Sequence, residues 1–172
     1  MRKQKGFSLI ELLIVVAIIL IIAAIAIPNL LRARMAANES SAVASVRTVN
    51  TAEVTYNSTY PTVGFAQALV NLGGAAPCTP SPATACLIDS VLSLNGNPAN
   101  TGKSGYMFAT GAGTQSAGGT YVGYTIQASP ITINQTGIRG FCAEEDAVVR
   151  VDPAGVCANS EAGILAFSPL NQ

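Results

Sequence analysis

The pattern of hydrophobic and polar positions divides the chain into two parts of different character. All sixteen residues at positions 12–27 are apolar. With their flanks they form a 25-residue stretch over 7–31, which is interrupted only by Ser8, Glu11, Pro28 and Asn29. As an α-helix this stretch would be about 37 Å long, enough to cross a membrane. The pattern therefore predicts a membrane-spanning helix near the start of the chain.

Beyond Pro28 the apolar residues recur at helical spacing instead of in a run. Glu39 and Glu53 fall on the same stripe, whereas Ser45 and Asn50 are expected on other faces. This spacing predicts an amphipathic half of the helix over 32–60, with one face packed on a head domain. The stripe consists of Met35, Ala42, Val46, Val49, Tyr56 and Tyr60. A continuous helix over 7–60 would be about 81 Å long, so we expect other molecules to pack along it.

The positions of glycine and proline predict a turn-rich head over 61–172. All glycines except Gly6, and all prolines except Pro28, come after Tyr60. Alternating residues over 121–128 are typical of a half-buried antiparallel strand. We predict an α+β fold, with the long N-terminal helix packed on a small antiparallel sheet of three or four strands. The head elements expected are short helices at 65–72 and 85–94, strands at 106–110, 121–128, 138–143 and 148–151, and a turn at 144–146.

Charge argues against a nucleic-acid partner. The chain has nine basic and nine acidic residues, and Arg2, Lys3 and Lys5 crowd the first five positions. In a membrane protein this cluster stays cytoplasmic, so the head would face the other side. The remaining cations are scattered and outnumbered by acidic residues, whereas phosphate binding needs clustered Lys and Arg.

The sequence offers no pair of nucleophile and base, so we expect no enzyme. It contains no His, which is the commonest general base and metal ligand. We expect no cofactor and no metal. One set of residues offers oxygen ligands for Ca²⁺, although an acidic turn is usually only solvated and no EF-hand spacing is present. These residues are Glu144, Glu145, Asp146 and Asp152.

The four cysteines allow three disulfide connectivities. Their spacing favours the two local pairs, Cys78–Cys86 and Cys142–Cys157. Disulfides fit a head that is exported to an oxidising compartment. A zinc site would need closer spacing and would usually recruit His.

The most specific motif is the octapeptide KGFSLIEL over 5–12. It combines a short basic leader, Gly6 before Phe7, Glu11 five residues after that Gly, and an apolar helix with Pro28 further on. Over about the first 30 residues the chain resembles a type IV pilin precursor, a member of the filament superfamily that includes the pseudopilins of type II secretion. The head resembles small pilin-like proteins more loosely, through 72–74, 103–106 and 137–141. In its last turn, where the resemblance leads us to expect glycine, the chain has Ala147.

The resemblance implies a processing and assembly sequence. A membrane peptidase would cut between Gly6 and Phe7, removing the leader 1–6, and would methylate the new amine of Phe7. Assembly machinery would then extract the subunit from the bacterial inner membrane, where its head is periplasmic. The hydrophobic helix over 7–31 would pack against other copies in the core of an extracellular homopolymer.

Two residues of the hydrophobic helix, Glu11 and Pro28, can each be interpreted in two ways. A carboxylate in an apolar helix is unfavourable by several kcal/mol unless it is paired. In a filament we expect Glu11 to pair with the Phe7 amine of a neighbour, whereas in the membrane it would snorkel to the headgroups or cap its own amine. Pro28 cannot donate to the carbonyl of Ala24, which weakens the helix there. A gentle kink and a local unwinding on assembly both remain open.

Two other readings of the whole chain compete with a pilus subunit. A pseudopilin of a type II secretion system shares the same N-terminal features. A soluble secreted protein with an ordinary signal peptide is suggested by the Ala-x-Ala pattern over 24–26, and its mature form would begin at Ile27. The position of Glu11 within the apolar run argues against the signal peptide. No sequence feature indicates what a filament of this subunit would do.

Overall fold

The structure is a computed structural model that describes residues 7–96, 101–157 and 161–170. The predicted cleavage residue Gly6 lies outside the described residues. The chain forms two compact units, Met1–Arg34 and Met35–Gln172.

A single long helix, α1, spans Leu9–Thr59 and contains only one proline, Pro28. The prediction of a long helix over 7–60 is therefore confirmed to within two residues at its start and one at its end. The helix ends before Pro61, because the residue that precedes a proline is restricted to extended conformations.

The second unit contains a five-stranded antiparallel sheet. Its strands follow the chain order β1-β2-β3-β4-β5, so that each strand pairs with the next. The α+β class is confirmed. The sheet has one strand more than predicted, because the fifth strand consists of only two residues, too few for an alternation of apolar and polar positions to be detected. The strands are β1 Tyr106–Ala112, β2 Tyr124–Pro130, β3 Gly140–Glu144, β4 Arg150–Asp152 and β5 Ser168–Pro169, and the short helices are α2 Leu69–Leu72, α3 Ser90–Ser93 and α4 Glu161–Leu165.

The core of the second unit lies between α1 and the sheet. The buried apolar residues of the two layers include Ala42, Val46, Val49, Ala52 and Tyr56 from α1, and Tyr106, Phe108, Tyr124, Ile126 and Phe141 from the strands. The buried face of the helix is wider than the apolar stripe, since Ser45 and Asn50 are also buried. Their predicted placement on other faces is wrong. Asn50 is covered because its amide donates to the carbonyl of Ala147 at 3.2 Å and accepts from the Tyr124 hydroxyl at 3.3 Å.

Two disulfides tie the loops of the head to this core. Cys78 is joined to Cys86 in the loop between α2 and α3, and buried Cys142 in β3 is joined to Cys157 after β4. These are the two pairs that the cysteine spacing favours. The second bridge closes a loop of 15 residues, which in the chain-entropy model stabilises the fold by about 3 kcal/mol.

The turn between β3 and β4 places Ala147 in the left-handed region. Its N–H donates to the carbonyl of Glu144 at 2.8 Å, and its φ is +57°. This is the position where the family resemblance leads us to expect glycine. A Cβ in this conformation is strained, because it approaches the following carbonyl oxygen.

A fully buried carboxyl group links α1 to the start of the head. Glu53 has no exposed surface, and one of its oxygens accepts from the N–H of Ala66 at 2.8 Å. The other oxygen has no hydrogen-bond partner among the described residues. Burial raises the pKa of Glu53 from 4.5 to about 8, although the bond from Ala66 acts in the opposite direction. The group is therefore mostly neutral at pH 7.

We expect Ala147→Gly to stabilise the chain. Glycine removes the steric strain of the left-handed turn, so the free energy of unfolding should rise by about 1 kcal/mol. Urea unfolding of the full chain in detergent measures this. The matched control is Asn134→Gly, because Asn134 also has a positive φ of +64° but tolerates it better than alanine does. A lower stability of Ala147→Gly would contradict the assigned turn.

We also expect the stability of the head to fall as the pH rises. Between pH 4.5 and about 8 the folded chain keeps the proton of Glu53 while the unfolded chain releases it, so each unit of pH destabilises the fold. No histidine titrates in this window. Glu53→Gln should flatten the dependence of the unfolding midpoint on pH, and the exposed control Glu145→Gln should leave it unchanged. An unaltered slope in Glu53→Gln would show that another group is responsible.

Candidate functional site

The first half of α1 presents apolar side chains to its surroundings on all sides. Its large hydrophobic residues between Phe7 and Leu31 are 46% to 77% exposed. The helix is long and apolar enough to cross a membrane. A helix that is hydrophobic all round needs an apolar environment, which is either lipid or other protein.

The start of α1 is capped by the carboxylate that the sequence analysis singled out. Glu11 accepts from the backbone N–H of Ser8 at 2.9 Å, and Leu12 donates to the carbonyl of Ser8 at 3.2 Å. The bond between Glu11 and Ser8 is one half of a capping box, in which a glutamate in the first turn satisfies an orphan N–H. The carboxylate therefore has a partner at the start of its own helix, one residue from Phe7.

Pro28 lies inside α1 and leaves one backbone carbonyl without its usual donor, that of Ala24. The side-chain amide of the next residue, Asn29, donates at 3.1 Å to the carbonyl of Ile25 and not to that of Ala24. The structure has helix at all of these positions. Unwinding of this segment on assembly stays a prediction.

In the second unit, Glu39 fixes the loop between β2 and β3 to the helix. One oxygen accepts from the N–H groups of Ile138 at 3.0 Å and Arg139 at 3.2 Å. The other accepts from the Arg139 guanidinium at 3.0 Å and 2.7 Å. Burial alone would raise the pKa of Glu39, but these hydrogen bonds and the charge of Arg139 hold it below its usual value. The carboxylate is therefore ionised, and it positions the loop.

The acidic residues that were considered for Ca²⁺ point to other partners. Asp146 accepts from the Arg150 guanidinium through both oxygens, and Glu144 lies 3.5 Å from the same group. Asp152 accepts from the backbone N–H groups of Ala154 and Val156, whereas Glu145 is exposed. Within the described residues, no group of three or more potential ligands is placed to hold a metal.

The sequence alone does not assign roles to Glu39 and Glu53, although the positions of both residues indicate that each needs a partner. Each lies at a position of the apolar stripe, where a carboxylate faces the head and has to find a partner. Pattern alone could not identify these partners, because Arg139 and Ala66 are 100 and 13 residues away in sequence.

Comparison with known proteins identifies the N-terminal segment. Residues 1–27 match the prokaryotic N-terminal methylation motif. The chain is 68% identical over 40 residues to the type IV wide pilus major component PilA4 of Thermus thermophilus, and 45% identical over 56 residues to the type IV major pilin protein PilA of Myxococcus xanthus. It is also 42% identical over 65 residues to the type II secretion system core protein G of Vibrio cholerae.

The similarity covers only part of each protein. The matched segments are 23%, 33% and 36% of this chain, and they span 30%, 26% and 44% of the lengths of these relatives in the same order. No solved structure matches. The methylation motif, the exposed apolar helix that it overlaps and the named relatives nevertheless agree with one another. The N-terminal segment of this chain is thus similar to those of the type IV pilins and the pseudopilins of type II secretion.

Proposed function

We propose that the chain is the precursor of a structural subunit of an extracellular type IV pilus-like filament, and that it is not an enzyme. One observation carries the proposal: the match to the methylation motif extends over the first turns of a helix whose apolar side chains are exposed on all sides. A polymer needs an interface that every copy presents to the next, and this surface supplies one.

The proposed life cycle has a membrane stage and a filament stage. In the first stage the hydrophobic helix lies in the bacterial inner membrane, with Arg2, Lys3 and Lys5 on the cytoplasmic side and the head in the periplasm. Prepilin peptidase then cuts before Phe7 and methylates the new amine. Removal of the three cations lowers the barrier to extraction, because no charged leader then holds the helix in place.

In the filament stage we propose that Glu11 changes partner. In the precursor it accepts from the Ser8 N–H, which is a weak contact that the cleaved chain can exchange. A neighbouring Phe7 amine carries a full positive charge and forms a stronger, charge-assisted bond in an environment with little water. This exchange makes assembly depend on cleavage, since the amine exists only in the processed chain.

A second candidate function is that of a pseudopilin in type II secretion. It is favoured by core protein G of Aeromonas hydrophila, which is 36% identical to this chain over 80 residues. Deletion of the gene separates the two: a pilus subunit is required for surface filaments, whereas a pseudopilin is required for the release of secreted proteins. Electron microscopy of sheared filaments and analysis of the culture medium measure the two outcomes.

Processing is the first test of the proposal. Mass spectrometry of the mature protein should find Phe7 at the N-terminus with one added methyl group. Gly6→Leu should accumulate as precursor, because a bulky side chain hinders the peptidase at the scissile bond, while the control Ser8→Ala should be processed normally. A mature chain that begins at Ile27 would instead identify an ordinary secreted protein.

The role of Glu11 is the second test. Glu11→Val and Glu11→Gln should be inserted and cleaved but should yield few or no filaments, since the amine of the neighbour is left unpaired at roughly 3–5 kcal/mol per subunit. Glu11→Asp should be intermediate because its reach is shorter, and Leu12→Val controls for a change of packing alone. Immunoblots report cleavage and shearing reports filaments. Wild-type filament numbers in Glu11→Val would rule out an assembly contact.

A further inference from the structure

The two disulfides of the head differ in how far solvent can reach them. Cys142 is fully buried, Cys157 is 5% exposed, and both belong to a small apolar cluster. Cys78 and Cys86 are only half-buried, and they lie in the loop between α2 and α3. We call Cys142–Cys157 the core disulfide and Cys78–Cys86 the loop disulfide. A thiol reagent in solvent has direct access only to the loop disulfide.

The backbone around the loop disulfide is strained. Cys86 has a φ of +60°, where a Cβ approaches the following carbonyl oxygen. The N–H of Cys86 donates to the carbonyl of Gly73 at 3.1 Å, so this bond and the disulfide together hold the conformation. A Cβ at Gly74 would lie 2.0 Å from Sγ of Cys78, so the chain passes close to the sulfur only because it has no side chain there. Exposed or strained disulfides are the ones that exchange readily with thiols.

The loop that this disulfide closes is also tied to its surroundings by side-chain hydrogen bonds. The hydroxyl of Tyr56 in α1 donates to the carbonyl of Pro82 at 2.7 Å. The amide of Asn71 in α2 donates to the carbonyl of Ala83 at 3.4 Å, which is a weaker contact. The loop disulfide and the Tyr56 bond are therefore the main restraints on the loop over 75–84.

The pairing beneath the loop does not depend on the disulfide. The N–H of Ala85 donates to the carbonyl of Asn71 at 2.7 Å, and the N–H of Leu87 donates to the carbonyl of Leu72 at 2.7 Å. Leu72 and Ala85 are also buried in the main core. Opening of the loop disulfide thus releases the loop over 75–84 and leaves the core that lies under it in place.

We infer that Cys78–Cys86 is a thiol-exchange site, which a dithiol reductant opens while the head stays folded. A thiolate of the reductant attacks one Sγ, and the other Sγ leaves as a thiolate. The second thiol of the reductant then breaks this mixed disulfide, so the protein gains two electrons and two protons and the reductant becomes a disulfide. The order of the loop therefore follows the thiol state of the surroundings. This site functions in the same way in a pilus subunit and in a pseudopilin.

Graded reduction of the full chain in detergent tests the inference. The chain is treated with dithiothreitol, samples are quenched with iodoacetamide, and peptide mass spectrometry measures the label on each cysteine. Cys78 and Cys86 should be labelled together at least about tenfold faster than Cys142 and Cys157, because the core disulfide reacts only after its surroundings open. Equal rates for the two pairs, or earlier labelling of Cys142 and Cys157, would overturn the inference.

Removal of the loop restraint on α1 provides a second measurement. Tyr56→Phe loses the bond to Pro82, so reduction of the loop disulfide should become about fivefold faster, while the core disulfide keeps its rate. The matched control is Tyr124→Phe, because the hydroxyl of Tyr124 binds Asn50 and not the loop. An equal acceleration of both disulfides in Tyr56→Phe would overturn the inference, since the loop would then open only with the whole head.

Hydrogen exchange shows whether the head stays folded after the loop disulfide opens. Ser81 and Thr84 bond to each other through their backbones, and their amides should lose protection after selective reduction and alkylation. The amides of β2 and β3 should keep theirs. The double variant Cys78→Ser/Cys86→Ser should give the same pattern without a reductant. Loss of protection throughout the sheet in either sample would overturn the inference, because the loop disulfide would then be required for the fold.

Discussion

The constraint on which this molecule depends is that residues 7–31 cannot be shielded from water by a small head. Their side chains are apolar around the whole circumference of the helix. Water is the least favourable environment for such a surface, by about 25 cal/mol for each Å² that is exposed. The segment therefore has to be in lipid or against other helices at every stage, and a change between these environments is the natural basis of an assembly reaction.

The head is stabilised by a different set of interactions, which belong to the second half of the same helix. There the apolar stripe packs on the sheet, and the two carboxyl groups on that stripe have different charge states. Glu39 is ionised because it binds a guanidinium and two N–H groups, whereas buried Glu53 receives only one N–H and keeps its proton at neutral pH. Of these two glutamates on one helix face, Glu39 thus binds a loop as a charged group, and Glu53 binds the start of the head as a neutral one.

Glu11 is the third glutamate of the same helix, and its role also depends on the group that it binds. It caps the first turn of the helix through Ser8, so the carboxylate already has a partner within one chain. The proposed exchange to an amine requires the cut before Phe7, and this links the chemistry of processing to the stability of the polymer.

The sequence by itself determined the features that depend on the spacing of nearby residues along the chain. The hydrophobic run, the amphipathic spacing after Pro28, the concentration of glycine after Tyr60 and the octapeptide around Gly6 predict the long helix, the α+β head and the resemblance to pilins. The spacing of the cysteines favoured the two disulfides for the same reason, because short loops close most easily. Four of the five strands were found from alternation and turn residues, whereas two-residue β5 is too short to have a pattern.

Only the tertiary structure decided which polar groups are buried and what they bind. Ser45 and Asn50 are expected to face solvent by periodicity, but both are buried, and Asn50 binds Ala147 and Tyr124, which are distant in sequence and which no helical pattern identifies. In the same way Glu39 finds Arg139 across 100 residues, and the acidic residues after β3 turn to Arg150 and to backbone N–H groups.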